Sequence, residues 1–122
     1  MKYRESEEMY LETILLLSKE KSSVRSIDIA SHLDYSRPSV SRAVNLLQKK
    51  NFINIAKDGK ITFTDEGYKK AIHIYEKHHI ITKVLMQIGA DEKLAEDNAC
   101  RFEHVITDEM LAIMKKFIEK GE

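Results

Sequence analysis

Two short runs rich in β-branched and aromatic residues, Phe52-Ile53-Asn54-Ile55 and Ile61-Thr62-Phe63-Thr64, flank Lys57-Asp58-Gly59-Lys60. An Asp-Gly pair between such runs selects a tight hairpin, because glycine reaches positive φ without steric cost. On both sides of this hairpin apolar residues recur at helical spacing. The chain is therefore expected to be mainly α with one small β-hairpin.

Upstream, Ser6 to Lys19 is predicted to be a helix. Met9, Tyr10, Ile14, Leu15 and Leu17 form its apolar face, and Glu5, Glu7 and Glu8 suit the positive end of its dipole. Lys21-Ser22-Ser23 breaks it. Ser26 is the expected N-cap of a short helix, Ile27 to Leu33, presenting Ile29, Ala30 and Leu33. Asp34-Tyr35-Ser36 makes a turn, and the next helix opens with Pro38 in its first turn and runs to about Lys50, burying Val40, Ala43, Val44 and Leu47. Short helix, tight turn and polar-faced helix followed by a hairpin form a winged helix-turn-helix.

Downstream, Thr64 is placed to cap a long helix reaching about Gly89, with Ala71, Ile74, Tyr75, His78, Ile81, Leu85 and Ile88 at helical spacing. Asp91 to Val105 and Asp108 to Glu119 are the last two predicted helices, the latter carrying Met110, Leu111, Met114, Phe117 and Ile118. Domain boundaries are expected at 1–66 for the winged helix-turn-helix and 67–122 for the helical region.

At 122 residues the chain is short for two independent cores, and 43% apolar content suffices for one. A single cysteine excludes an intramolecular disulfide and fits a reducing cytoplasm. Met1-Lys2-Tyr3-Arg4-Glu5 with acids following is not expected to act as a signal peptide, and no apolar run approaches the roughly 20 residues of a membrane span. No membrane partner is expected.

Net charge is zero, yet it is unevenly placed. Between Tyr35 and Lys60 stand Arg37, Arg42, Lys49, Lys50, Lys57 and Lys60 against Asp58 alone, whereas Asp91 to Glu122 holds nine acids and five bases. A basic segment suits phosphates and an acidic one suits cations. On the helix opened by Pro38, the residues Ser36, Arg37, Ser39, Ser41, Arg42 and Asn45 lie off the apolar face. Arg37 and Arg42 can address guanine edges or phosphate, Asn45 adenine, and Ser39 and Ser41 either partner. Lys57 and Lys60, at the hairpin tip, are placed to touch the backbone of double-stranded DNA.

Cys100-Arg101-Phe102-Glu103-His104 sets a thiol, a carboxylate and an imidazole at i, i+3 and i+4, one face of a helix. That donor set suits first-row divalent ions better than calcium or magnesium. The plainer alternative is a buried Cys100 beside a solvated Glu103-His104 pair. Met9 and Glu12 share a face of the first helix, and His78 lies on the inner side of the long one. Spacing alone leaves open whether these meet the Cys100 cluster.

With these elements in place, and with Glu8-Met9-Tyr10-Leu11-Glu12-Thr13-Ile14 at its start, the chain resembles the diphtheria toxin repressor family of metal-dependent regulators. The resemblance covers essentially the whole chain. It implies a homodimer that binds a palindromic operator when charged with Fe2+ or Mn2+ and represses metal-uptake genes, with 67–122 as the dimerisation and metal-binding domain. It places the regulatory metal site on Met9, Cys100, Glu103 and His104, with the cysteine position of the iron branch ligating in part through its carbonyl. His78 matches an ancillary site whose other helical ligands fall on Thr82 and Glu96. Thr82 is a poor ligand, which leaves Glu96 a lesser candidate. Glu12 matches a bridging carboxylate of the manganese branch, which works with His78 and Glu103. That branch has Asp and Glu where this chain has Met9 and Cys100. A sulfur donor favours Fe2+ or a later ion over Mn2+, with Zn2+, Co2+ or Ni2+ as substitutes. The chain is also expected to lack the C-terminal SH3-like domain of the iron regulators.

Two other functions fit less of the sequence. A metal-independent winged-helix regulator would use Cys100 as a redox sensor. A small metalloenzyme would need a substrate pocket and a general base, but no Gly-rich loop is present and a basic wing has no use there. Neither an enzyme nor a small-molecule substrate is expected.

Overall fold

The computed structural model describes residues 7–120. The element order is α1 (Glu7–Glu20), α2 (Ser26–Leu33), α3 (Arg37–Lys49), β1 (Ile53–Ile55), β2 (Ile61–Phe63), α4 (Asp65–Gln87), α5 (Glu92–Phe102) and α6 (Asp108–Lys120). The mainly α fold with one hairpin is as expected. The signal-peptide reading of residues 1–5 and the helix start at Ser6 lie outside the described residues. The chain divides into two compact units, Met1–Ile72 and His73–Glu122, with the division inside α4.

In the first unit α1 packs on α2 and α3, and α3 packs on α2 and β1. Tyr10, Leu11, Ile14, Ile29, Val40, Val44, Ile53 and Ile61 are all buried in its core. Each such aliphatic side chain contributes about 1.5–3 kcal/mol by leaving water. The α2 cap differs from expectation. Arg25 rather than Ser26 is the N-cap, and the Asp28 carboxylate accepts the Arg25 backbone N–H at 2.8 Å. An acid at the third helical position satisfies the orphan donor, so no hydroxyl is needed before it. Asp34, at φ 57°, ends α2 in the left-handed region. Ser36 caps α3 by accepting from Ser39 N at 3.3 Å. Asp34, Tyr35 and Ser36 alone separate the two helices, and Pro38 sits in the first turn of α3 as the sequence predicts.

The hairpin pairs Ile53 with Phe63, Asn54 with Thr62 and Ile55 with Ile61. Gly59, at φ 89°, makes its turn. Each strand is one residue shorter than expected, because the Phe52 amide donates to Leu47 O at 3.1 Å and Thr64 opens the next helix. The Thr64 hydroxyl accepts from Gly67 N at 3.0 Å, capping α4, and donates to Asn51 O at 2.7 Å. The wing is tethered to the segment before α2. Val24 bridges to Ile61, and the Arg25 guanidinium donates to Asp58 O at 3.1 Å and to its carboxylate at 3.2 Å.

In the second unit Ile81 of α4, Ala99 of α5 and Leu111 of α6 form the core, with Ile80, Leu85, Ile106 and Met114 packed around them. Asp91 caps α5 by accepting from Leu94 N at 2.9 Å. The helix ends at Phe102, three residues before the predicted Val105, with Glu103 as its C-cap. The amides of Val105 and Ile106 both fold back on Phe102 O at 3.0 Å, which turns the chain toward α6. Along α6 only Leu111 and Ile118 are buried, whereas Met110, Ile113 and Phe117 are exposed.

Candidate metal centre and nucleic-acid face

α4 presents Ile74, Lys77, His78 and Ile81 along one stripe, and a polar pair inside an apolar stripe needs partners. Glu103 supplies them. Its residue is wholly buried, at 0% exposure. His78 Nδ1 lies 3.0 Å from Glu103 Oε2, and the buried Lys77 ammonium donates to the Glu103 main-chain carbonyl at 2.9 Å. The other carboxylate oxygen, Oε1, accepts no hydrogen bond among the described residues and lies 3.5 Å from His104 Nε2. A buried carboxylate oxygen without a donor is costly, and a cation is the partner that relieves it. Imidazole and carboxylate donors of this kind match the preferences of first-row divalent ions. The structure therefore fits the metal that the sequence implies.

The structure sets His78 against one oxygen of the Glu103 carboxylate and His104 against the other. His104 belongs to the turn after α5 and not to the helix, so Cys100, Glu103 and His104 do not sit on one continuous helical face. Cys100 is half-buried one turn upstream of Glu103. Glu96 is exposed, and the Thr82 hydroxyl donates to His78 O at 2.7 Å. Within the first unit, Met9 Sδ accepts from the Tyr35 hydroxyl at 3.8 Å, and Glu12 is half-buried. Lys77 was not among the residues expected here. Its signal was present, since Lys77 falls three residues after Ile74 and four before Ile81, two core positions of the long helix.

The second candidate surface lies on α3. Ser36, Arg37, Pro38, Ser41, Arg42 and Asn45 are exposed, and Ser39 is half-buried. Asn45 is held by its Nδ2 donating to Ser41 O at 2.8 Å, and Arg42 reaches the Ser39 hydroxyl at 3.4 Å. Lys57 is exposed at the wing tip and Lys60 half-buried beside it. Arg25 also stands at the tip through its ion pair with Asp58, which neutralises the single acid in this basic segment.

Residues 2–61 match the family profile described as iron dependent repressor, N-terminal DNA binding domain. Residues 64–122 match the companion profile, iron dependent repressor, metal binding and dimerisation domain. The chain belongs to the iron-dependent repressor family. Its relatives include the uncharacterized HTH-type transcriptional regulator MJ0568 of Methanocaldococcus jannaschii, 34% identical over 118 residues and covering 95% of this chain and 94% of that one. The diphtheria toxin repressor of Corynebacterium glutamicum is 36% identical over 104 residues, covering 84% of this chain and 46% of that protein. The chain thus spans about half the length of the diphtheria toxin repressors that it matches. Among solved structures, the manganese regulator SloR superposes with a TM-score of 0.84 at 25% identity, over 96% of this chain and 55% of that one. An iron-dependent repressor is a metal-dependent, DNA-binding regulator of transcription. The buried Glu103 cluster and the polar face of α3 lie in the segments matched by the metal-binding and the DNA-binding profile, respectively.

Proposed function

We propose that this chain is a homodimeric repressor of metal-uptake genes, switched on by Fe2+. The observation that carries this is the wholly buried Glu103 carboxylate, with one oxygen 3.0 Å from His78 Nδ1 and the other 3.5 Å from His104 Nε2 with no donor among the described residues. Met9, Glu12, His78, Cys100, Glu103 and His104 would hold the metal, with Glu96 a lesser candidate. Bound there, the ion supplies positive charge to a buried carboxylate and ties side chains of different helices to one point. The thioether of Met9 and the thiol of Cys100 favour Fe2+ over Mn2+, and Zn2+, Co2+ or Ni2+ would substitute.

The mechanism is linkage. Metal bound to residues of α1, α4 and the end of α5 favours the arrangement in which two recognition helices meet successive major-groove half-sites of a palindromic operator. Residues 1–66 bind DNA and 67–122 bind metal and dimerise through the exposed apolar side chains of α6. Ser36, Arg37, Pro38, Ser39, Ser41, Arg42 and Asn45 enter the groove, and Lys57 and Lys60 hold phosphates. A DNA-binding regulator of this kind works in the cytoplasm, with no enzymatic step.

The test is fluorescence anisotropy on genomic operator fragments at one fixed salt, in chelator, anaerobic Fe2+, Mn2+ and Zn2+. Tight binding with Fe2+ and its loss in His104→Ala are the expected results. Equal binding in chelator would overturn metal gating.

A further inference from the structure

Tyr35 is the single residue between the C-cap of α2, Asp34, and the N-cap of α3, Ser36. Its backbone N–H closes α2 on Ala30 O at 3.2 Å. Its half-buried side chain packs against α1, with its ring centroid 6.3 Å from that of Tyr10, a residue only 2% exposed. Its hydroxyl donates to Met9 Sδ at 3.8 Å. The residue that joins the two helices of the helix-turn-helix is thus bonded to a sulfur on the first helix.

Taking Met9 as a metal ligand, as proposed above, we infer that Tyr35 is a positioning residue that couples the Met9 sulfur to the first turn of the recognition helix. Methionine has three freely turning side-chain bonds, so an unheld thioether must be ordered when metal arrives. The Tyr35 hydroxyl holds Sδ beforehand. A thioether sulfur has two lone pairs, so one accepts the O–H and the second can take a metal.

The same hydrogen bond reaches the DNA-facing side chains by a short covalent and hydrogen-bonded route. Tyr35 is joined through one peptide bond to Ser36, whose hydroxyl donates to Ser39 Oγ at 2.9 Å. Ser39 Oγ in turn accepts from Arg42 Nη2 at 3.4 Å. A displacement of Sδ toward a metal therefore pulls on Tyr35, the residue directly before the Ser36 cap of α3. All of these contacts lie within the first compact unit.

The test is a double-mutant cycle on the full chain with Met9→Leu, Tyr35→Phe and the two combined, and His104→Ala as a control. Tyr35→Phe keeps the ring packed on Tyr10 and removes only the hydroxyl. Affinity for Mn2+ and anaerobic Fe2+ is measured by competition with a chromophoric chelator, and DNA affinity by anisotropy in chelator and in metal. Tyr35→Phe is expected to weaken metal binding about threefold, the low end for a lost hydrogen bond because sulfur is a weak acceptor. It should lessen the metal-induced gain in DNA affinity and have neither effect in the Met9→Leu background. The same change in both backgrounds would mean that Tyr35 only builds the turn, and no change in either would equally overturn the coupling. If Met9→Leu itself leaves metal affinity unaltered, the inference falls. His104→Ala then separates the cases: loss of metal there leaves the metal centre standing without Met9, and no loss removes the whole reading.

Discussion

Glu103 is held at both ends by consecutive residues of α4: Lys77 bonds its main-chain carbonyl at 2.9 Å and His78 its carboxylate at 3.0 Å. The carbonyl is that of the C-cap of α5, where the helix dipole is negative and a cation is favoured. Lys77 therefore fixes where α5 ends, and through it where the carboxylate stands. Lys77→Met keeps the apolar stem and removes the donor, so a buried carbonyl loses its charged partner. The expected loss is about 1.5–3 kcal/mol of stability, read from urea unfolding midpoints. An unchanged midpoint would show that the ammonium does not cap α5.

Glu103→Gln separates metal binding from folding. The amide fills the same space and can still hydrogen-bond His78. It removes the buried charge whose second oxygen has no donor among the described residues, so metal-free folding should survive the change. The stabilisation by metal should vanish. A ligand at a hundred times its Kd adds about 2.7 kcal/mol to a folded state, and a thermal melt with and without Mn2+ reads it. A variant that still gains stability from metal would remove Glu103 from the site.

Gly67→Ala reverses the sign that helix propensity gives. Alanine is the better helix former by about 1 kcal/mol. A Cβ at Gly67, however, would stand 1.8 Å from Phe52 O, a main-chain atom. Overpacking against backbone costs about 3 kcal/mol or more. Chemical denaturation should therefore show strong destabilisation, and a neutral result would mean that α4 does not start against the wing as described.

Glu7 ties α1 to Lys50, the C-cap of α3, at 2.7 Å and to Lys70 of α4 at 3.0 Å. Burial raises its pKa, but the hydrogen bonds from Lys50 and Lys70 outweigh that and hold it below its usual 4.5. A carboxyl depressed by folding stabilises above its unfolded pKa, and that contribution is lost as pH falls through the folded value. Glu7→Gln should therefore cost about 1 kcal/mol near neutrality, discounted for solvent screening, and almost nothing in strong acid. Urea midpoints for both proteins, followed from neutrality into acid, should converge, and a pH-independent gap would remove the charge from the explanation.

The features decided by neighbours along the chain were legible in the sequence. Asp58-Gly59 predicted the hairpin, Pro38 the opening turn of α3, Thr64 and Asp91 the starts of α4 and α5, and apolar spacing the core faces of α1 and α3. Turns, caps and periodicity depend on residues within a few positions. Even the cap of α2 is local, although the preference for a hydroxyl at Ser26 obscured the acid at Asp28 that serves instead. The family was legible as well, from Glu8-Met9-Tyr10-Leu11-Glu12 and Cys100-x-x-Glu103-His104 taken together. What only the tertiary structure decided lies where residues far apart in sequence meet. The end of α5 at Phe102, the burial of Glu103 and its pairing with Lys77 and His78 depend on side chains some 25 positions away. The bond from Tyr35 to Met9 likewise joins residues with no local relation. Local sequence sets the elements and most of their ends, and the cost of burying polar groups selects which of them come together.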